Sequence, residues 1–279
     1  SYDDPDTRRR FWGLNAKIDL LDDRLGLVPF FVQQSYDGVL DRQAVGLQVD
    51  YLTDRASYFG MVDYDLHHQV LNHLLVNGNL RLGGRTRVYG GIDHRRNPYL
   101  TTRNALIGQT IRDLSELELL LVEASLEDIA RDRSALSTML RLGLQGELTE
   151  GWDYSMDASL TDFDATESSL EVAALDAHRD FYYSLQIRAN DMFGRGNYGA
   201  VQARGYDSDT ARSVGMHLNN RLALGESSWL FPRLQLDQRT RLDTDQDQLR
   251  VRPSLRLDYR RNRNMRFELE AGYEWTDRE

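Results

Sequence analysis

His67, His68 and His73 stand close together, with Asp63 and Asp65 just upstream, and nowhere else does the chain gather imidazoles and carboxylates so tightly. Metal sites use these ligand types, but none of the usual zinc spacings is present. The expectation is a solvated histidine cluster at a strand end, with no metal. Cysteine is absent, which removes disulfides, thiolate ligands and cysteine nucleophiles. Gly83-Gly84 and Gly90-Gly91 lie in no Walker or dinucleotide motif. No nucleophile elbow frames a serine. The sequence therefore predicts no catalytic group, no cofactor and no enzyme; a barrel hydrolase is the enzymatic alternative.

What remains is electrostatics. Arg81, Arg87, Arg141, Arg188, Arg204, Arg221, Arg233, Arg250, Arg252 and Arg256 recur on one side of an alternating pattern, with Tyr182, Glu268 and Glu270. Acidic groups crowd elsewhere: Asp113, Glu116, Glu118, Glu123, Glu127 and Asp128 in one segment, Asp162, Asp164, Glu167 and Glu171 in another, Asp243, Asp245 and Asp247 in a third. The net charge is -10, the wrong sign for a duplex nucleic-acid binder. Charges of both signs along one face suit weak, repeated contacts with a passing polymer.

The elements that position these groups read as strands. Met265, Phe267, Leu269, Ala271, Tyr273 and Trp275 alternate with Arg266, Glu268, Glu270, Gly272 and Glu274. Successive side chains of a strand point to opposite faces, so one face is apolar and the other charged. The same rhythm runs through 249–260, 214–222, 181–188, 152–160, 45–51 and 12–20, and is blurred at 25–34 by Val28, Phe30, Phe31 and Val32. Short polar turns fall at 22–24, 53–55, 83–85, 149–151, 194–196, 225–227 and 261–263. Connections at 34–42, 97–134, 162–180 and 239–248 read as longer. Alternating strands, short turns on one edge and longer loops on the other describe a transmembrane β-barrel. Trp12, Tyr51, Trp152, Phe181, Tyr259 and Trp275 fit its interface girdles. No run of apolar residues is long enough for a membrane helix, and no signal-peptide pattern opens the chain.

The predicted fold is thus an all-β, antiparallel up-and-down transmembrane barrel over 1–279, of about fourteen strands. The direction of the end strands predicts sixteen in the parent. A helical insertion is expected at about 104–133. There Ile107, Ile111, Leu114, Leu117, Leu121 and Ala124 recur at helical spacing, and Ser115 with Glu118, and Ser125 with Asp128, read as capping boxes. Two placements stay open: a plug whose acids face the arginine wall and gate the bore, or a helix on the external rim.

Several short blocks carry a family resemblance: Arg103 to Gln109 (RNALIGQ), Asp132 to Ala135 (DRSA), Phe231 to Leu234 (FPRL), Val251 to Arg260 (VRPSLRLDYR) and Phe267 to Trp275 (FELEAGYEW). Together they resemble the C-terminal barrel of Pel-type (PelB-like) exopolysaccharide export proteins. The resemblance implies a sixteen-stranded outer-membrane barrel that exports a cationic, amino-sugar-rich biofilm polymer. It further implies a periplasmic lipoprotein ring and a polysaccharide-modifying enzyme as partners, besides outer-membrane lipids. A general porin for small solutes and an assembly or translocator barrel are the alternatives.

Overall fold

A computed structural model describes residues 9–121, 124–170, 172–192 and 194–278. The chain opens with β1 (Arg10–Asn15), β2 (Ile18–Leu20), β3 (Leu25–Tyr36), β4 (Val39–Leu52), β5 (Ala56–Asp65), β6 (Val70–Leu82) and β7 (Thr86–Asn97). A 3-10 turn (Thr102–Leu106) and two helices, α1 (Leu114–Leu120) and α2 (Leu126–Asp132), follow. The rest is β8 (Ala135–Thr149), β9 (Trp152–Phe163), β10 (His178–Asn190), β11 (Tyr198–Asp207), β12 (Ala211–Ala223), β13 (Ser228–Arg241), β14 (Gln246–Arg260), β15 (Arg266–Gly272) and β16 (Trp275–Arg278). The strands form one antiparallel, up-and-down sheet in chain order, with β1 and β15 as the end strands of the path. Among the described residues no helix is long and apolar enough to cross a membrane.

Two prolines divide the end strands. Asn15 pairs with Phe30 and Ile18 with Leu27, so β1 and β2 keep one register across a gap that faces Pro29. Ala16 still donates to the Pro29 carbonyl at 3.2 Å. In an antiparallel ladder the N–H and C=O of a residue point to the same neighbour, and proline has no N–H to return. At the other end Gly272 pairs with Ser254 and Trp275 with Val251, again without a shift, and Tyr273 donates to the Pro253 carbonyl at 3.0 Å. The sixteen strand segments therefore make fourteen continuous strands.

The chain divides into two compact units, one of residues 1–80, 90–140 and 161–179, the other of 81–89, 141–160 and 180–279. In the first, the register places Leu27, Val49, Tyr58 and Val76 on one face and Gln48, Asp50, Ser57 and Asn79 on the other. Val28, Phe30, Val32, Phe59 and Met61 also lie on that second face, which explains the blurred alternation of β3. In the second unit the separation is cleaner. Ile187, Val201, Leu218, Leu234 and Pro253 share one row, and Ser184, Arg204, Gly215, Asp237 and Arg250 share a row of the opposite face.

The loop lengths depart from the sequence expectation. The 34–42 connection is a tight hairpin: strands run through Tyr36 and resume at Val39, with Asp37 (φ 49) and Gly38 (φ 85) both left-handed. Asp-Gly supplies the positive φ values a two-residue hairpin needs, so a polar stretch that reads as a loop is a turn. The 239–248 connection likewise shrinks to 242–245. Only 98–134 and 164–177 are long.

Hydrophobic burial is concentrated in one place. Of the twelve buried hydrophobic residues among those described, eight form a single cluster: Tyr36, Leu100, Ala105, Leu114, Leu117, Leu126, Ile129 and Ala130. That cluster joins the helical insertion to the ends of β3–β4 and β6. Among the described residues the sheet has no comparable core: Leu185, Val201, Val214, Leu255 and Leu269 on its apolar face are all exposed.

Candidate functional site

The second unit's polar face carries most of the expected arginines. Arg188, Asn219 and Arg233 lie in one cross-strand row, His217, Gln235 and Arg252 in the next, and Arg204, Asp237 and Arg250 in a third. Arg256 lies opposite Glu270, and Glu268 opposite Asp258. Tyr182 faces Tyr206. Strand alternation puts Arg81, Arg87 and Arg141 on the charged side of β6, β7 and β8.

Ion pairs tie part of this array together. Arg188 holds Asp153 at 2.6 Å, Arg204 holds Asp237 at 3.1 Å, and Arg250 and Arg252 share Glu274 at 3.7 and 4.0 Å. Arg256 and Arg266 close on the buried carboxylate of Asp258. Arg256 also lies over Phe231, Arg221 over Trp229 and Arg141 over Tyr89, with 4.4, 5.3 and 5.7 Å to the ring centroids. Aromatic faces attract guanidinium groups, so these arginines are oriented although among the described residues no carboxylate holds Arg221 or Arg141. Among the described residues Arg81, Arg87 and Arg233 also lack a carboxylate within ion-pair reach.

The helical insertion is anchored to the ends of β3–β4 and β5–β6. Two β-bulges supply its anchors. In β3–β4 the pairing steps from Gln34–Arg42 to Ser35–Leu40, leaving Asp41 without a ladder partner; in β5–β6 it steps from Asp63–His73 to Tyr64–Leu71, leaving Asn72 spare. Bulges re-aim side chains, and both of these are fully buried. Asp41 accepts from the Arg103 N–H at 2.7 Å and from the Gln34 amide. Asn72 donates to the Leu100 carbonyl at 3.2 Å and accepts from the Leu100 N–H at 3.0 Å. Thr102 donates to the Leu40 carbonyl, and Asn104 to Tyr99 O and Ser134 Oγ. Arg133 donates to the carbonyls of Ile107 and Ser169, tying both long connections together.

The acidic side chains take little part in this anchoring. Asp113 caps α1 by accepting from the Glu116 N–H, displacing the expected cap at Ser115. Ser125 and Asp128 do form a reciprocal capping box, and the Ser125 bonds hold the Asp128 carboxyl below the usual carboxylate range. Glu116 and Glu118 are exposed, and Glu127 lies 3.6 Å from His67. No arginine pairs with these five among the described residues; Glu123, like Glu171, lies outside them.

The histidines occupy two settings. His67 and His68 sit in the β5–β6 turn, their rings 4.7 Å apart, and their backbone N–H groups donate to the Asp65 carboxylate. His68 is buried against Thr102, and burial lowers its pKa. His73 lies between Asp93, at 3.0 Å, and the Tyr99 hydroxyl. No metal-binding group of three ligands occurs among the described residues. Sequence reasoning passed over Asp41 and Asn72, because a bulge is a property of two strands paired and leaves no mark on either alone.

No family model and no curated protein matches the chain. Solved structures of outer-membrane proteins do. OmpT of Vibrio cholerae in trimer form is 10% identical, over 96% of this chain and 88% of that one, with a TM-score of 0.40. Its loop L8 deletion mutant is 9% identical over 97% and 94%, with a TM-score of 0.38. The fold assignment rests on the strand ladders described above. The Pel-type resemblance has no counterpart among these matches.

Proposed function

We propose that the chain is an integral outer-membrane β-barrel that conducts a hydrophilic polymer, a secreted polysaccharide, from the periplasm to the cell surface without chemical change. The carrying observation is a sheet with exposed apolar side chains on one face, no second layer among the described residues to bury them, and charged rows on the other. Soluble monomers seldom expose contiguous apolar patches beyond a few hundred Å². In lipid such a face is satisfied, while the backbone must close its ladder. The polar face then borders water, where ion-paired arginines and tyrosines such as Tyr182 and Tyr206 offer shallow contacts along a path.

In this reading the helical insertion is a fixed cap over one end of the strands, held by apolar packing and backbone clamps. An amino-sugar polymer is the cargo that the Pel-type resemblance implies. Conductance in planar bilayers tests the proposal: the intact protein gives low conductance, and deletion of 107–131 raises it. Cells lacking the protein lose secreted polysaccharide. Purified protein that stays monodisperse without detergent overturns the membrane reading; unrestricted small-solute conductance in the intact protein favours a general porin instead.

A further inference from the structure

We propose that the polar face carries a subsite for an oxyanion borne on a saccharide, a carboxylate or phosphate, in a cleft at the short-turn end of β6 to β10. The cleft encloses about 600 Å³ and lies wholly within the second unit. Its charged lining is Arg81, Arg85, Arg87 and Arg188 against Glu147 and Asp153, an excess of two positive charges in a chain whose net charge is -10.

The pairing within the cleft leaves donors to spare. Asp153 is committed to Arg188 and Asn190: one of its oxygens accepts from Arg188 Nε at 3.2 Å, Arg188 Nη2 at 2.6 Å and Asn190 at 3.0 Å. Arg85 reaches Glu147 at 3.4 Å. Arg81 and Arg87 find no carboxylate within ion-pair distance among the described residues. A guanidinium presents five N–H donors in a planar fork that matches carboxylate and phosphate oxygens in pairs. Gln145, Gln186 and Ser155 add neutral donors and acceptors suited to sugar hydroxyls.

A polymer carrying only amines offers nothing to this array. One with acidic substituents does, so the subsite goes beyond the export proposal and selects a substituent of opposite sign. Because it is read by binding in solution, its failure is separable from a failure to conduct.

The test is isothermal titration of the folded, detergent-solubilised protein with inorganic phosphate, with a galacturonate oligomer and with a glucosamine oligomer. The expected result is one saturable site at which phosphate and galacturonate compete. Glucosamine does not displace them, and affinity falls as salt rises. Arg81→Gln with Arg87→Gln weakens both anions at least tenfold; Gln186→Glu, which adds a negative charge beside Arg188, weakens them as well. Absence of saturable binding by wild-type protein overturns the subsite whatever the variants do. Unchanged affinity in the folded double variant does the same, and binding of phosphate without galacturonate overturns the saccharide assignment.

Discussion

Asn72→Ala tests how the helical insertion is held. Asn72 spans both backbone groups of Leu100, and all of these atoms belong to fully buried residues. Alanine leaves an N–H and a C=O of Leu100 without partners, and each unsatisfied buried group costs about 1–3 kcal/mol. Partial hydration favours the lower half of that range, about 1.5 kcal/mol each and about 3 kcal/mol for the two. At roughly 1.4 kcal/mol per tenfold change, the 98–133 segment opens about a hundredfold more often. Trypsin has sites at Arg103, Arg112 and Arg131, so cleavage of the micelle-folded protein there accelerates by that factor where cleavage follows the open population. The heat-modifiable mobility of the sheet on gels stays as in wild type. Unchanged cleavage refutes the clamp. Loss of the sheet along with the segment refutes the idea that the insertion opens as its own unit.

Three further expectations concern other parts of the chain. Gly46 lies opposite Phe30 in β3–β4, and a Cβ there would run into the Phe30 ring and the Val62 carbonyl; Gly46→Ala destabilises by about 1–3 kcal/mol in urea unfolding, and pairing it with Phe30→Ala recovers only part, since the carbonyl remains. Leu185→Arg on the apolar face costs about 2–4 kcal/mol in lipid at mid-depth, whereas Gln186→Arg next to it costs little; equal effects would dismiss the two-faced reading. Burial lowers the His68 pKa against the pull of Asp65, so the native state resists a proton that the opened segment accepts. Its contribution to anchoring is complete above an unperturbed value of about 6.5 and is lost as pH falls through the lowered native value. Asp41, His67, Glu127 and Arg131 surround it. Hydrogen exchange in 98–133, divided at each pH by the intrinsic amide rate, therefore rises as pH falls from 7.5 to 5 in wild type and changes less in His68→Gln.

Much of the sheet was legible because period-two alternation is a one-strand property: β10, β12, β14 and β15 announce both faces without reference to a partner. Five of the six expected interface aromatics, Trp12, Trp152, Phe181, Tyr259 and Trp275, are exposed, and Tyr51 is half-buried. Connection lengths were less legible. A polar Ser-Tyr-Asp-Gly stretch reads as loop unless Asp-Gly is taken as a hairpin turn. The helical spacing from Ile107 onward was visible, but Asp113 and Ser125 cap it into two short helices. The arginine rows were readable strand by strand; their sorting into paired and unpaired guanidinium groups was not, because it depends on cross-strand register. The anchors at Asp41 and Asn72 were invisible for the same reason.

Those two extra residues also act as phase shifters. Before Asn72, Leu71 points to the apolar side beside Tyr64; after it, even-numbered residues such as Leu74 and Val76 take that side. At Asp41 the switch runs the other way, from Leu40 to odd-numbered Val45 and Leu47. Deleting either residue would close the bulge and let plain alternation run from Leu40 through Arg42 to Gln43, or from Leu71 through His73 to Leu74, so the helical insertion would lose a clamp while the strands kept their faces. Each strand thus carries one residue more than its ladder needs, and that residue serves the attachment of the helical insertion alone.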